Sequence, residues 1–534
     1  MVEFDWSLPY PSQRMPVLAR NLVATSQPLA AQAGLRMLQQ GGNAVDAAVA
    51  AAIALTVVEP TSNGIGSDAF ALVWAGGGLH GLNASGRSPK NLTSDRFQGM
   101  AEMPQLGWDP VTVPGAVSAW VELSQRFGGL PFEKLFEPAI QYARRGFLVS
   151  PQTAYYWSRG HERYKEFEPY QRTFCPDGRA PRPGELFKSP DHAATLQSIA
   201  ETNGEAFYRG DLAERMAADA KAGGGLLTLD DLASHRPEWV RPIRIEYRGY
   251  SLHEIPPNGQ GLTALLALGI LVHHSFENLP VDSAETLHLQ IEAMKLAFAD
   301  AYRYIADPAS MEVGVKRLLD PQYLAQRASL IEPDRAQEVK YGTPKPGGTV
   351  YLTAADAEGS MVSYIQSNYT GFGSGIVIPG TGIAMQNRGA CFTLEAGHPN
   401  QVGPGKRPYH TIIPGFVTRE AASGEHKPLM SFGVMGGFMQ PQGHAQVMIR
   451  LADYGQNPQA ALDAPRWRID GGLKVSVEPG FAPAVYDGLR GRGHDVTIAD
   501  ARTVAHGGGQ AIYKLGDGYF GASDLRRDGQ AVGY

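Results

Sequence analysis

Residues Pro346 to Leu352, with the sequence PGGTVYL, decide what kind of fold this 534-residue chain adopts. Two glycines precede a threonine, and the residues after Thr349 have the β-branched and aromatic character of a strand. Glycine tolerates backbone conformations that are strained for other residues. If the bond between Gly348 and Thr349 were cut, Thr349 would carry both a hydroxyl nucleophile and a free α-amine to act as its base. Read alone, the stretch is also typical of a plain loop before a strand, so the rest of the chain must decide.

The composition is that of an ordinary globular protein. Hydrophobic residues make up 43%, charged residues 19%, and the net charge is −6, so no basic excess indicates nucleic acid or an anionic membrane as partner. Cys175 and Cys391 fit a reducing compartment and lack metal-binding spacing, and we expect no metal or organic cofactor. The apolar stretch Ala47 to Val58 is about 12 residues long, shorter than the roughly 20 that span a bilayer. With no signal peptide at the N-terminus, the sequence predicts a cytoplasmic protein.

Predicted strands and helices alternate along the first part of the chain. Residues Asn21 to Thr25 read as a strand, Leu29 to Gln40 as an amphipathic helix, and Asp46 to Thr56 as a buried Ala-rich helix. Residues Tyr155 to Ser189 lack periodicity and predict a surface excursion. After Thr349 strand signals dominate, so the sequence predicts a helix-rich first part and a strand-rich second part.

A change of composition marks the boundary between these parts. Residues 331–348 are polar and proline-rich, as expected for a mobile linker. The sequence therefore predicts a large part, residues 1–348, that ends with this linker, and a small part, residues 349–534, that begins at Thr349.

A series of motifs, in order along almost the whole chain, resembles the γ-glutamyltransferases. The matching segments are Ser26–Ala30, Gly41–Ala48, Val58–Pro60, Gly64–Gly66, Val113–Gly115, Glu292–Lys295, Phe372–Gly375, Lys406–Pro408, Gly436–Gly437, Asp463–Arg466 and Ser523–Arg527. Glycine pairs and Asp-Ala-Pro triplets are common by chance, whereas their colinear order is specific. The chain is identified as a member of this family by that order.

The resemblance implies an α+β fold, the four-layer αββα sandwich of the N-terminal-nucleophile hydrolases. It also implies that a precursor cleaves itself between Gly348 and Thr349. The resulting large subunit, residues 1–348, and small subunit, residues 349–534, would remain packed as one shared core. The implied assembly is this heterodimer or a dimer of heterodimers, with a small molecule as substrate.

The resemblance also assigns roles to residues of the small subunit. Thr349 matches the nucleophile, which its own amine would activate as general base. Ser367 matches the second hydroxyl that hydrogen-bonds the nucleophile, with Asn368 as the alternative because the spacing is blurred there. Gly436 and Gly437 match the backbone N–H pair that stabilises the oxyanion, since glycines let the backbone approach the developing charge.

Three substrate-reading positions depart from the family pattern. Ser85 stands where the family has an arginine for the substrate α-carboxylate, and Arg87 follows two residues later. Cys391 replaces the aspartate that pairs with the α-ammonium, and His410-Thr411 replaces a serine pair. The catalytic framework is kept while these positions change together.

Other residues could read an anionic substrate instead. Arg87 and Arg388 could present cations, and His410, Thr411 and Asn368 could contribute further contacts. The alternative for each is a structural ion pair or a satisfied buried polar group, and Cys391 is expected to pack. The pattern is similar to the amidohydrolase branch of the family, which includes cephalosporin (glutaryl) acylases and oxamate amidohydrolases.

The sequence therefore predicts a self-processing threonine amidohydrolase that cleaves the amide of a small carboxylate-bearing substrate, oxamate- or glutaryl-amide-like. One alternative is a true γ-glutamyltransferase or glutathione hydrolase whose glutamate site is rebuilt from Arg87, Arg388 and other residues. A second is an unprocessed, non-enzymatic scaffold with the same fold. The acyl group, transfer as against hydrolysis, and the oligomeric state stay open.

Overall fold

The computed structural model describes residues 12–339, 348–500 and 503–534. Its strands are β1 (Val17–Ala19), β2 (Leu22–Thr25), β3 (Asp68–Ala75), β4 (Gly78–Asn83), β5 (Phe147–Leu148), β6 (Leu186–Phe187), β7 (Glu238–Val240), β8 (Ile243–Tyr247), β9 (Tyr250–Glu254), β10 (Gly348–Ala355), β11 (Met361–Tyr369), β12 (Val377–Ile378), β13 (Ile383–Ala384), β14 (Gly415–Glu420), β15 (His426–Met435), β16 (Trp467–Gly471), β17 (Lys474–Val477), β18 (Asp495–Ile498), β19 (Gly508–Lys514), β20 (Tyr519–Ser523) and β21 (Gln530–Gly533).

Its α-helices are α1 (Pro28–Gln39), α2 (Ala44–Val58), α3 (Ala116–Phe127), α4 (Glu137–Arg145), α5 (Pro151–Arg163), α6 (Glu168–Phe174), α7 (Pro190–Glu201), α8 (Glu205–Tyr208), α9 (Asp211–Ala222), α10 (Leu229–Ser234), α11 (Gly261–Leu271), α12 (Ala284–Tyr304), α13 (Val315–Leu318), α14 (Pro321–Ala328), α15 (Met439–Ala452), α16 (Pro458–Asp463) and α17 (Pro483–Gly491).

Two seven-stranded antiparallel sheets form the centre of the molecule. The first has the strand order β1-β20-β19-β15-β14-β9-β8, and the second has the order β21-β2-β10-β11-β3-β4-β7. Each sheet contains strands from before and after Thr349, so neither predicted part could complete a sheet alone. The residues before and after Thr349 therefore lie in one core.

Three apolar layers hold the sandwich together. The sheets face each other across a buried layer that includes Phe70, Tyr351, Ile365, Phe416 and Ile512. Helices α1, α2 and α3 cover the outer face of the sheet that contains β10, with α4 packed on α2. Helices α11 and α15 cover the other sheet, with α12 packed on α11. Each buried large apolar side chain contributes about 1.5–3 kcal/mol of transfer free energy. The predicted α+β, αββα architecture is confirmed.

Helix α2 shows how the sequence builds one of these layers. The side chain of Asn43 caps its N-terminus by accepting hydrogen bonds from the N–H groups of Val45 and Asp46. The carboxylate of Asp46 in turn accepts a hydrogen bond from the N–H of Asn43. All of the helix is buried, because its alanines let it pack closely on every side. The helix predicted over Asp46 to Thr56 is confirmed and extends to Ala44–Val58.

The region predicted as a surface excursion is different, and that prediction is wrong in part. It forms α5 and α6, and four aromatic rings from these helices and the residue after α5 are buried around a single phenylalanine, Phe372. The four rings are those of Trp157, Tyr164, Tyr170 and Phe174. The missing helical period arose because aromatic and glycine residues, rather than a regular aliphatic stripe, make this contact.

The predicted linker is docked where the structure describes it. Within residues 331–339, the N–H of Gln337 donates to Glu292 (3.0 Å) and its carbonyl accepts from Lys295 (3.1 Å), both on α12. Residues 340–347 lie outside the described residues. Among the described helices, none is long and apolar enough to cross a membrane.

Candidate active site around Thr349

Thr349 lies near the start of β10, in the middle of the molecule, and is fully buried. Strand β10 pairs with β2 on one side and β11 on the other, and its register with β11 shifts between Gly348 and Val350. The shift is local, since the pairing is regular from Val350 onward. The peptide bond predicted to be cut therefore lies at the one irregular point of this central strand pair.

Ser367 on β11 contacts both sides of that bond. Its hydroxyl donates to the carbonyl oxygen of Gly348 at 2.6 Å and accepts a hydrogen bond from the Thr349 hydroxyl at 3.3 Å. The backbone N–H of Tyr369 also donates to the Ser367 oxygen, at 2.8 Å, and so fixes its orientation. The structure thus brings together Gly348, Thr349 and Ser367.

The N-terminus of helix α15 lies on another side of Thr349. Gln440, in its first turn, donates from Nε2 to the Thr349 hydroxyl at 3.5 Å. Gly436 and Gly437 precede the helix with φ angles of 132° and 62°, conformations that favour glycine. A helix N-terminus stabilises negative charge nearby, because its first N–H groups have no partner within the helix. This arrangement suits an oxyanion that develops on a group bound to Thr349.

Arg388 is the most unusual charged group near the site. It is fully buried, and among the described residues Nε and Nη2 have no hydrogen-bond partner. Nη1 donates to the Thr411 hydroxyl at 2.7 Å, and the guanidinium lies 4.7 Å from the ring centre of Tyr369. A buried charge without a counter-ion is costly, so such a group indicates a site for an anion. The planar fork of arginine suits a carboxylate.

A continuous series of contacts connects Arg388 to Thr349. On one side the path runs through Tyr369 and Ser367 to Thr349. On the other side, Thr411 and Gly437 are joined by Gln260, whose Nε2 donates to the carbonyl of each, at 2.5 and 2.9 Å. Gln260 therefore ties the loop that holds Arg388 to the glycine pair before α15.

His410 has both ring nitrogens engaged by the protein. Nε2 donates to the carboxylate of Asp68 at 3.1 Å, and Nδ1 accepts from the N–H of Ile412 at 3.4 Å. Burial, with the charge of Arg388 acting in the same direction, lowers the pKa of His410 to about 3. The imidazole is therefore neutral and positions the loop, and the geometry does not support the predicted contact with substrate.

Arg87 lies elsewhere, in ion pairs. Its half-exposed guanidinium contacts Asp307 at 2.8 Å and Glu238 at 3.6 Å, and it donates to the carbonyl of Gly405. These partners satisfy the charge without a ligand. Of these two arginines, Arg388 is the one whose guanidinium keeps nitrogens without a partner among the described residues.

The side chain of Asn368 bonds Ser67 rather than Thr349. Its side-chain oxygen accepts from Ser67 at 2.9 Å, and its backbone carbonyl accepts from the N–H of Asn387. Neighbouring residues on a strand point to opposite faces, so Ser367 and Asn368 cannot both face Thr349. Of the two residues, Ser367 is the one whose side chain contacts Thr349 in the structure.

Three further residues of the site were missed in the sequence. Tyr369 has a φ of 77°, rare for an aromatic residue, and supplies both the ring over Arg388 and the N–H on Ser367. Gln440 and Gln260 carry amide side chains, and no motif in the neighbouring sequence marks them as site residues. Only the glycines Gly371 and Gly373, just after Tyr369, could have indicated an unusual backbone there.

A buried His–Glu–His group away from the site was tested as a metal centre. Ligand atoms of His288, Glu292 and His494 lie within 4.8 Å of one another. However, Lys295 Nζ lies 2.7 Å from Glu292, and His288 already bonds His494 and the carbonyl of Glu332. An ammonium at that distance opposes a metal cation. We interpret the group as the anchor of the segment 332–337.

The chain is similar to a known family and to solved structures. The family model described as γ-glutamyltranspeptidase matches residues 30–534. The crystal structure of a cephalosporin acylase from Bacillus halodurans superposes with a TM-score of 0.95 at 52% identity, covering 100% of this chain and 99% of that one. The predicted N-terminal-nucleophile hydrolase fold is confirmed by that likeness.

Two relatives of known name are similar over nearly the full length. A glutathione hydrolase-like YwrD proenzyme from Bacillus subtilis is 37% identical, covering 96% of this chain and 98% of that protein. An oxamate amidohydrolase proenzyme from Klebsiella pneumoniae is also 37% identical, covering 95% of this chain and 97% of that protein. Both names denote precursors, which implies processing into subunits.

Proposed function

Because this chain belongs to the γ-glutamyltranspeptidase family and is an amide hydrolase or acyltransferase of the N-terminal-nucleophile type, we propose that it cleaves itself before Thr349 and then hydrolyses the amide of a small carboxylate-bearing acyl group. In this proposal residues 1–348 become the large subunit and residues 349–534 the small subunit. Thr349 is the nucleophile, and Arg388 holds the carboxylate of the acyl group.

The observation that carries the proposal is the buried guanidinium of Arg388. Two of its nitrogens have no partner among the described residues, and the contacts through Tyr369 and Ser367 lead directly to Thr349. A substrate carboxylate there would supply the missing counter-charge. Its amide carbon would then be presented to the nucleophile by the same contact that makes binding favourable.

Self-cleavage follows from the contacts at Gly348. The Thr349 hydroxyl attacks the carbonyl carbon of Gly348, and the hydroxyl of Ser367, 2.6 Å from the carbonyl oxygen, stabilises the charge that develops on it. Loss of the Thr349 nitrogen from the tetrahedral intermediate leaves an ester between Gly348 and the Thr349 oxygen. Water hydrolyses this ester, giving a carboxylate on Gly348 and a free α-amine on Thr349.

Substrate turnover uses the same hydroxyl. The new α-amine accepts the hydroxyl proton as the oxygen attacks the substrate amide carbon, and the N–H groups of Gly436 and Gly437 face the oxyanion. The amine product leaves with a proton, and water then hydrolyses the acyl-enzyme. Gln440, 3.5 Å from the Thr349 oxygen, helps to orient the nucleophile.

The experiment has two parts. Denaturing gels and N-terminal sequencing of purified wild type, Thr349→Ala and Cys391→Ala proteins test cleavage, which we expect in the first and third only. Because Thr349 supplies the attacking oxygen, its replacement should also remove hydrolysis. One full-length wild-type band that persists, with no threonine as a new N-terminus, would point instead to the non-enzymatic scaffold.

Parallel assays on the processed enzyme then test the substrate class. Oxamate, a glutaryl anilide and glutathione are compared with a butyryl anilide, which resembles the glutaryl compound but lacks the carboxylate. We expect turnover of oxamate or the glutaryl anilide, and at least about tenfold lower kcat/KM for the butyryl control, since a buried charged contact is missing. Efficient γ-glutamyl release from glutathione alone would favour the glutathione hydrolase alternative.

A further inference from the structure

We propose that Cys391 is an oxidation-sensitive inhibitory site, at which peroxide converts the thiol to a sulfinate that pairs with Arg388 and takes the place of the substrate carboxylate. The inference rests on the proposed role of Arg388. It adds a covalent modification and a mode of control that catalysis itself does not require.

The geometry places the thiol at the unpartnered cation. Sγ of Cys391 lies 3.9 Å from Nη1 of Arg388, while Nε and Nη2 of the same guanidinium have no partner among the described residues. The two residues belong to one short 3-10 turn, Arg388–Cys391, which fixes their separation. An oxygen bonded to Sγ would lie within hydrogen-bond reach of the guanidinium, where a charge-assisted bond is strong.

The chain offers an internal comparison in its other cysteine. Cys175 is 2% exposed and packs among the aromatic rings of α5 and α6, where burial raises its pKa to about 11. Cys391 is partly exposed, next to a cation that favours an anionic sulfur. Oxidation follows thiolate character and access, so Cys391 is the thiol that peroxide should modify first.

The chemistry takes two peroxide molecules. In the first step the sulfur attacks one peroxide oxygen, the O–O bond breaks, and the products are a sulfenic acid and water. In the second step the sulfenic acid sulfur attacks another peroxide, which gives a sulfinate, a proton and a second water. The sulfur is oxidised by two electrons in each step, and each peroxide is reduced to water. The sulfinate then carries the negative charge that Arg388 lacks.

Treatment of the processed enzyme with hydrogen peroxide tests the proposal. After removal of peroxide, activity on the best carboxylate-bearing amide is measured relative to an untreated sample of the same protein, and peptide masses are mapped. We expect a fall in kcat/KM on the order of tenfold or more, as when a buried charged contact to substrate is blocked. The peptide with Cys391 should gain the mass of two oxygen atoms, and glutarate present during treatment should slow both changes.

Two variants serve as controls. Cys391→Ser retains every methionine and Cys175, so inactivation of this variant as fast as wild type would overturn the proposal. Sulfinate on Cys391 with activity unchanged would also overturn it. In Arg388→Met, glutarate should no longer protect Cys391, because the anion has lost its cation.

The experiment distinguishes a failure of the oxidation proposal from a failure of the proposed function. If untreated enzyme prefers a γ-glutamyl substrate, the proposed acyl class fails, and peroxide inactivation is then measured on that substrate. The mass change and its protection by glutarate do not depend on which amide is cleaved. Glutarate that binds untreated enzyme but does not shield Cys391 would refute the oxidation site alone.

Discussion

Two buried arginines of this molecule have opposite surroundings. Arg526 contacts Glu478 through Nε and Nη2 and Asp524 through Nη1, and it also donates to the carbonyls of Leu462 and Ala464. Arg388 is equally buried, but among the described residues only its Nη1 is hydrogen-bonded, to Thr411 and Cys391, and no carboxylate lies against the guanidinium. The first arrangement is complete in the folded chain, whereas the second needs a further group.

This difference teaches how to separate structural from functional charges. A paired buried ion belongs to the fold, because removing one partner leaves the other without compensation. An unpaired buried ion beside a nucleophile lowers stability and is explained by a ligand that pairs with it. Stability and activity measurements should therefore respond in opposite ways at the two positions.

The largest expected effect is on stability, at Arg526. Arg526→Met removes the cation shared by Asp524 and Glu478, and we expect the free energy of unfolding to fall by about 3–5 kcal/mol. Urea unfolding is measured in the Thr349→Ala background, so that the chain stays in one piece. The control, Arg490→Met, breaks an exposed ion pair with Asp487 and should cost less than about 1 kcal/mol. If both variants lost the same free energy of unfolding, the buried ion pairs of Arg526 would not be more important for stability than an exposed one.

The second effect is on activity, at Arg388. Arg388→Met should lower kcat/KM for carboxylate-bearing amides by about 10- to 100-fold, since a charged hydrogen bond contributes about 1.5–3 kcal/mol. The unfolding free energy should stay the same or rise, because a buried unpaired charge is removed. Steady-state kinetics with the glutaryl and butyryl anilides measure this, and an equal loss for both substrates would argue against carboxylate binding.

The third effect is the pH dependence of the free energy of unfolding that arises from the ion pairs of Asp524 with Arg526 and Arg466. Burial alone would raise the pKa of Asp524, but the charges of Arg526 and Arg466 outweigh it and lower the pKa from 3.8 to about 2. A lowered carboxyl pKa stabilises the fold above the unfolded value and loses that contribution as the pH falls from about 4 through about 2. The loss is about 2 kcal/mol.

Unfolding measured at several acid pH values tests this effect. Asp524→Asn should be less stable than wild type at pH 6, and the difference between their free energies of unfolding should narrow as the pH falls toward 2. A gap that stays constant with pH would show that the charge of Asp524 is not the source of the difference.

The smallest expected effect is the change in kcat/KM when Arg388 is replaced by lysine. Arg388→Lys keeps the positive charge but loses the planar fork, so we expect a loss in kcat/KM of roughly tenfold or less. The loss should appear mainly in KM, since the ammonium still attracts the carboxylate but orients it less well. A lysine variant as impaired as Arg388→Met would show that fork geometry, not charge, determines binding.

The sequence predicted the central parts of the fold because their signals are local. The cap at Asn43, the alanine pattern of α2 and the strand after Thr349 are each contained in a few neighbouring residues. The helices α5 and α6 were missed because their packing depends on Phe372, about 200 residues away, and no local period records that contact.

The site shows the same division. The family resemblance pointed to Thr349 and, with Asn368 as the alternative, to Ser367, and the structure places the hydroxyl oxygens of Thr349 and Ser367 3.3 Å apart. The choice between Arg87 and Arg388 could not be made from the sequence, since both are arginines close to matched motifs. Their partners come from distant segments: Asp307 for one, Thr411 and Tyr369 for the other.

By itself, the sequence determined the family and the layered fold, because motif order and local pattern carry that information, and it predicted the cut before Thr349. Only the tertiary structure decided which arginine is left without a counter-charge, which side of β11 faces the nucleophile, and that Cys391 lies against Arg388. The reason is physical: the state of a buried charge depends on every group packed around it, and those groups come together only when the chain folds.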